Sequence, residues 1–326
     1  MSLQTAKKAK ELLPDAVRRH ARFIMEQAEH VRINHDAIAP YTQKLLDTYN
    51  VITTHDDNHL KTQDAERTAA YIIALDSLNF GSGYFRQARK DGAHFDYGVF
   101  SSGLKRGFQT GIFDTPEKWA VAKPQDFYTL YSISQGTSAA IDDLFSLFAK
   151  HLQETGQRII DNYGGKSMNM VDAANGSAAK MAEMLAAWPT FHDYATYKGR
   201  NGPVLKRAQI LPADLYLAGL GNFTDIDTLT IFADNRIPHV LRCDGVLSYT
   251  SVLADTIDRL KPLPSGSTEE IELRAASIHA VELMRDAVRD MGHHVNTMNI
   301  DHLLWNRGGE PALKSRPTHR TLTIWY

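Results

Sequence analysis

The stretch Ile141-Asp142-Asp143-Leu144-Phe145-Ser146-Leu147-Phe148-Ala149-Lys150-His151-Leu152 decides the fold class. Its apolar residues at 141, 144, 145, 148 and 152 recur at steps of three and four, which lays one apolar stripe along a helix. A strand would alternate at every second residue instead. Ile159, Ile160 and Tyr163 extend the face beyond Gly156. The same spacing returns upstream in Val17, Ala21, Ile24, Ala28 and Val31, behind a Pro14-Asp15 start, and after Pro40 in Leu45, Leu46 and Tyr49. A helix runs from Asp64 toward Leu78, and another from Ser177 to Trp188, where Pro189 stops it. Leu253, Ile257 and Leu260 mark a further one. Ile271, Ile278, Val281 and Val288 mark a long helix with Glu269, Glu270 and Glu272 near its positive end. Only Ala93 to Phe113, rich in Gly, Phe and Tyr, reads as an irregular or hairpin region. The fold class expected is mainly α with a minor β or hairpin component.

The 326 residues suffice for one large domain, with a possible N-terminal helical lobe over 1–140 and a C-terminal lobe over 141–326. Hydrophobic residues make up 43% and charged ones 23%, the balance of a soluble globular chain. Lys and Arg number 36 against 38 Asp and Glu, a net charge of −2, which offers no broad basic face for a DNA or RNA duplex. A local basic pocket for one phosphate remains open. The single cysteine, Cys243, forms no intrachain disulfide and suits a reducing compartment. No secretory signal is read at the N-terminus, and no stretch approaches the roughly 18 apolar residues that span a bilayer. The expected location is cytoplasmic.

Several motifs fail on their own terms. Gly164-Gly165-Lys166-Ser167 lacks the earlier glycine of a phosphate loop, since Ile160 stands there. Gly219 and Gly221 are too short a pattern for a dinucleotide fold. His55 and His59 stand four apart around two aspartates, but the run from Thr53 to Asn58 favours a turn over a metal-binding helix. No metal site or cofactor is expected. Gly81-Ser82-Gly83 before Tyr84-Phe85 suits either a flat aromatic wall or a helix end packed on the core.

Thr230-Ile231-Phe232-Ala233-Asp234-Asn235-Arg236-Ile237-Pro238-His239 carries a lone carboxylate to the end of an apolar run. Asp234 can face a developing positive charge at a pocket wall, or cap the next helix. Asp225 and Asp227 read as caps for the segment leading to it.

These residues resemble the queuosine salvage proteins, which are queuosine 5′-phosphate N-glycosylases. The resemblance rests on Leu78-Asn79-Phe80, Glu154-Thr155-Gly156, Gly164-Gly165, Lys206 to Leu211 with Asp214, and Thr230 to Asp234 with Arg236 and Pro238. It continues in Glu270 to Arg274, Val281-Glu282-Leu283, Asp301 with Leu304-Trp305, His319-Arg320 and Tyr326. It implies a helical fold similar to DNA glycosylases, adapted to a nucleotide, and release of queuine from queuosine 5′-monophosphate. The chain departs from the family's pattern at Gly81–Phe85 and at His239.

Cleaving an N-glycosidic bond builds positive charge on the sugar, so a carboxylate below it and an oriented water are needed. The resemblance assigns this to Asp234, with Asp214 as a second carboxylate. Lys206, His319 and Arg320 are candidates for the phosphate, and Arg236 either joins them or orients Asp234. Phe80, Tyr84 and Trp305 can stack on the base, while Asn79, Asp301 and His239 can meet its polar groups or the sugar. The expected partner is a small nucleotide, with no direct DNA or tRNA binding and no membrane. A related N-ribohydrolase or a non-catalytic queuine-binding protein are the alternatives.

Overall fold

The computed structural model describes residues 11–50 and 59–326. Among them are sixteen α-helices and two short antiparallel strand pairs, so the chain is mainly helical as its periodicity suggests, although the face read over Val17 to Val31 is helical only to Met25 and Val31 opens a strand. The helix Ala139–Tyr163 buries Ile141, Leu144, Phe145, Phe148, Leu152 and Ile159 and ends at Gly164. Phe145 lies 5.5 Å from Phe95 and 5.9 Å from Phe127, centre to centre, so aromatic packing ties several helices to this one. No described helix is long and apolar enough to cross a membrane.

The second long helix, Thr268–Asp290, starts on a Ser267 cap that accepts the amide of Glu270. Glu270 and Glu272 are not the solvated end charges that their positions suggest. Glu272 is fully buried and accepts the backbone N–H groups of Glu29, His30 and Val31 (2.9, 2.7 and 3.0 Å) and the hydroxyl of Tyr197 (2.8 Å). One side chain therefore holds the strand Val31–Ile33 and the hairpin of Tyr194–Tyr197 and Arg200–Pro203 against the helix.

The irregular region expected over 93–113 is instead a helix, Tyr97–Gln109, capped by Asp96 through the amide of Val99. Its glycines serve packing. A Cβ on Gly103 would fall 2.1 Å from the ring of Tyr131, on the neighbouring helix Pro124–Tyr131. Close approach here outweighs the helix propensity lost at a glycine, about 1 kcal/mol. The β component lies elsewhere. One pair joins Val31–Ile33 to Leu247–Tyr249, and the other turns through Lys198-Gly199, both at positive φ.

Candidate active site

The segment leading to Asp234 has no strand partner, so its polar backbone groups must be met otherwise. Side chains from four helices do this. Arg18 donates to the carbonyls of Thr228 and Leu229 (2.8 and 3.0 Å), and Thr297 also donates to Leu229. Gln209 accepts the amide of Thr230 (2.9 Å) and donates to its hydroxyl (2.8 Å). Asp301 accepts the amide of Phe232 (3.1 Å), and Nε of Arg274 donates to the Ala233 carbonyl (3.2 Å). Asp225 and Asp227 do not cap this segment. Asp225 accepts from Ser177 and the amide of Ala178 at the start of another helix, and Asp227 accepts from Asn296.

Asp234 does both things that its setting allows. Oδ1 accepts the amides of Arg236 (2.8 Å) and Ile237 (3.2 Å), capping the helix Arg236–Cys243. The residue also lines an open cleft of about 1650 Å³, and its Oδ2 takes no hydrogen bond from the described residues. The cap locks the carboxylate's orientation at the cleft wall and leaves its second oxygen without a donor among the described residues.

Around it stand Lys206, Asp214 and Asp301, all on the cleft wall and all under 10% exposed. Nζ of Lys206 donates to the Asn79 carbonyl (3.0 Å). Burial pulls the Lys206 pKa down, against the opposing pull of Asp234 and Asp76. Asp301 is held well above the usual carboxylate range by burial and by the Asp234 charge, so it favours the neutral acid. A carboxyl group raised in this way beside a second one is the raw material for acid and base roles.

A buried ion pair fixes this group. Arg274 grips Asp193 through two hydrogen bonds (2.9 and 2.5 Å), and Oδ2 of Asp193 accepts the amide of Lys206 (3.1 Å). Burial opposes the Arg274 charge, but Asp193 and Glu270 override it and raise its pKa. Because Arg274 also holds Ala233, one strut positions both Lys206 and Asp234. Neither Asp193 nor Arg274 stands out in sequence as a site residue, since 81 positions separate them.

The remaining candidates divide. Asn79 and Phe80 line the cleft, and the guanidinium of Arg207 lies between the rings of Phe80 (4.9 Å) and Phe191 (5.2 Å). Arg236 stacks 4.1 Å over Trp305, which meets Tyr97 edge-on at 6.1 Å, so these three form an aromatic and cationic wall. His239 lines the cleft, with its Nε2 donating to the Leu313 carbonyl (3.0 Å). Tyr84 is not on the cleft. It is packed in the core, and burial raises its phenol's pKa. His319 lines the cleft but is no cation, because burial, with His239 and Arg274 nearby, pushes it down to about 3. Arg320 is also on the wall. His55 lies outside the described residues, His59 lines the cleft, and no group of three metal-binding side chains occurs among the described residues.

The charge of the cleft contrasts with that of the whole chain. Ten lysines and arginines line it against four aspartates and no glutamate. An anionic ligand is favoured there although the overall charge is −2.

Residues 58–326 match the sequence model of a family described as queuosine salvage protein. The chain is 33% identical to a queuosine 5′-phosphate N-glycosylase/hydrolase of Sphaerobacter thermophilus, over 94% of this chain and 96% of that one. Identity is 30% to the protein of that name from Dictyostelium discoideum, over 95% and 98% of the two chains. It is 28% to the one from Mus musculus, over 96% and 99%. The chain belongs to the queuosine salvage protein family.

Proposed function

We propose that this chain hydrolyses the N-glycosidic bond of queuosine 5′-monophosphate, releasing queuine and ribose 5-phosphate. The observation that carries the reading is Asp234, which lines a cleft rich in cations while two backbone N–H groups pin its Oδ1. As the bond from sugar carbon to base nitrogen breaks, its electron pair leaves with the base and positive charge grows on the sugar. A preoriented carboxylate stabilises that charge, and it takes a proton from the water whose oxygen bonds to the sugar carbon. Asp301, in its acid form, has an O–H to donate toward the departing base. Asp214 adds a third carboxyl group to this end of the cleft, suited to the cationic amine of queuine. The wall of Trp305, Tyr97 and Arg236 offers a stacking surface for the flat base. The partner is a small nucleotide, a reading that the ten lysines and arginines lining one cleft support. A reducing, cytoplasmic setting suits the lone Cys243.

The test is base release from queuosine 5′-monophosphate and from queuosine by the wild type and Asp234→Asn. Asparagine also caps helices well, so the variant stays folded. The expected result is release from the monophosphate, weaker release from the nucleoside, and a loss of at least about a hundredfold in the variant. No release by folded wild-type protein would overturn the activity. Full activity in Asp234→Asn would move the catalytic centre elsewhere.

A further inference from the structure

Arg320 is a guanidinium without a described counter-charge. Its Nε is buried with no hydrogen-bond partner, a state that native proteins seldom leave unexplained. The other residue to consider is Arg86, on the helix Ser82–Lys90. That helix is pressed against the closing segment of the chain, because a Cβ on Gly83 would fall 1.9 Å from the carbonyl oxygen of Thr321. Arg86 stands three residues beyond Gly83 and so shares its helix face, while Arg320 immediately precedes Thr321. Both arginines line the cleft. After burial, the charge that bears on Arg320 is that of Arg86, and it repels. Neither residue forms an ion pair with a described carboxylate.

Two arginines brought together without an acid between them leave room for an anion. The basic residues beside the acidic centre suit a phosphate less well. Lys206 and Arg236 already feel Asp234 and Asp301, and His319 is neutral. A phosphate beside Asp234 would meet the charge of its carboxylate. The hydroxyl of Thr318 donates to the carbonyl of Asn235 (3.2 Å), which ties the segment carrying Arg320 to the backbone beside Asp234.

We infer that Arg86 and Arg320 form a phosphate-binding site at the outer part of the cleft, which holds the 5′-phosphoryl group of the nucleotide while the base and sugar lie against the acidic centre. The inference rests on the nucleotide reading above and adds a residue, Arg86, which directly follows the stretch Gly81–Phe85 where the chain departs from the family's pattern. Two guanidinium groups can present paired N–H donors to one phosphoryl group, a geometry that lysine cannot copy.

Ribose 5-phosphate serves as the probe, measured by calorimetry on the full chain without turnover, alongside kcat/KM for the nucleotide and the nucleoside. Arg86→Met is expected to weaken ribose 5-phosphate binding about 10- to 100-fold, the worth of a charged hydrogen-bonded contact. The ratio of kcat/KM for nucleotide over nucleoside should fall by a similar factor, and Arg86→Lys should recover only part of it. The melting temperature should hold or rise, because the substitution relieves a like-charge pair. Unchanged binding would overturn the inference, and so would a lowered melting temperature, which would make Arg86 a structural cation. If the wild type binds ribose 5-phosphate through these arginines but releases no base, the reaction reading fails and the site stands.

Discussion

Replacing Arg274 by methionine tests whether the buried strut holds the proposed active centre together. The side chain keeps much of its volume, but Asp193, 2% exposed, loses its counter-charge and the Ala233 carbonyl loses its donor. Stranding one member of a buried pair costs about 3–5 kcal/mol, and the open carbonyl is part of that penalty rather than an addition to it. The double variant Asp193→Asn, Arg274→Met removes the stranded charge while still offering an oxygen to the Lys206 amide. It should recover at least about 2 kcal/mol relative to Arg274→Met, as neutralised buried pairs do. Activity should not recover with it. Lys206 and Asp234 would no longer share a rigid mount, and a displacement of about 1 Å at a reacting group lowers the rate about a hundredfold. Urea unfolding gives the stability, and base release gives kcat/KM. A loss below about 1 kcal/mol in Arg274→Met, or a double variant with wild-type activity, would refute the strut as a positioning device.

Two further expectations concern pH. Asp301 binds its proton more tightly folded than unfolded, so the folded state holds the extra proton above the unfolded carboxylate pKa of about 3.9. Stability should therefore decline as pH rises from there to the folded pKa, base release should fall on the alkaline side, and Asp301→Asn should flatten both profiles. His151 and His319 are each pushed down to about 3, so they gain protons on unfolding below the usual histidine range near about 6.5. Their contribution is present above that pH and lost as it falls, so the melting temperature should drop on acidification, less steeply in His319→Gln.

The helices were legible because each needs only its own periodicity, as Ile141 to Leu152 and Val17 to Ile24 illustrate. The place of Asp234 at a pocket wall was legible because an apolar run ending in an acid is a local pattern. What escaped depends on contacts between distant residues. Gly103 reads as a breaker until Tyr131 is seen against it. Phe80 and Tyr84 look alike in sequence, but only Phe80 meets the cleft, while the helix Ser82–Lys90 turns Tyr84 inward. The same helix presents Arg86 to the cleft. His319 looks like a phosphate ligand until its burial is known. Net charge misleads in the same way, since an average over the whole surface hides a basic cleft.

The segment Leu229-Thr230-Ile231-Phe232-Ala233 has a consequence beyond catalysis. It is an uncharged, apolar, proline-free run with β-branched residues, the composition that pairs readily with strands of other molecules. A ladder partner in the fold would have left the run part of a sheet with an edge to protect. Side chains occupy its backbone groups instead, and a side chain cannot extend into a growing sheet. Gln209, Asp301, Arg274 and Thr297 thus guard solubility while they shape the site. Damage to them would free a segment able to pair with strands of other molecules, so the soluble yield of such variants should fall below that of the wild type, and their chemistry is compared on the soluble fraction.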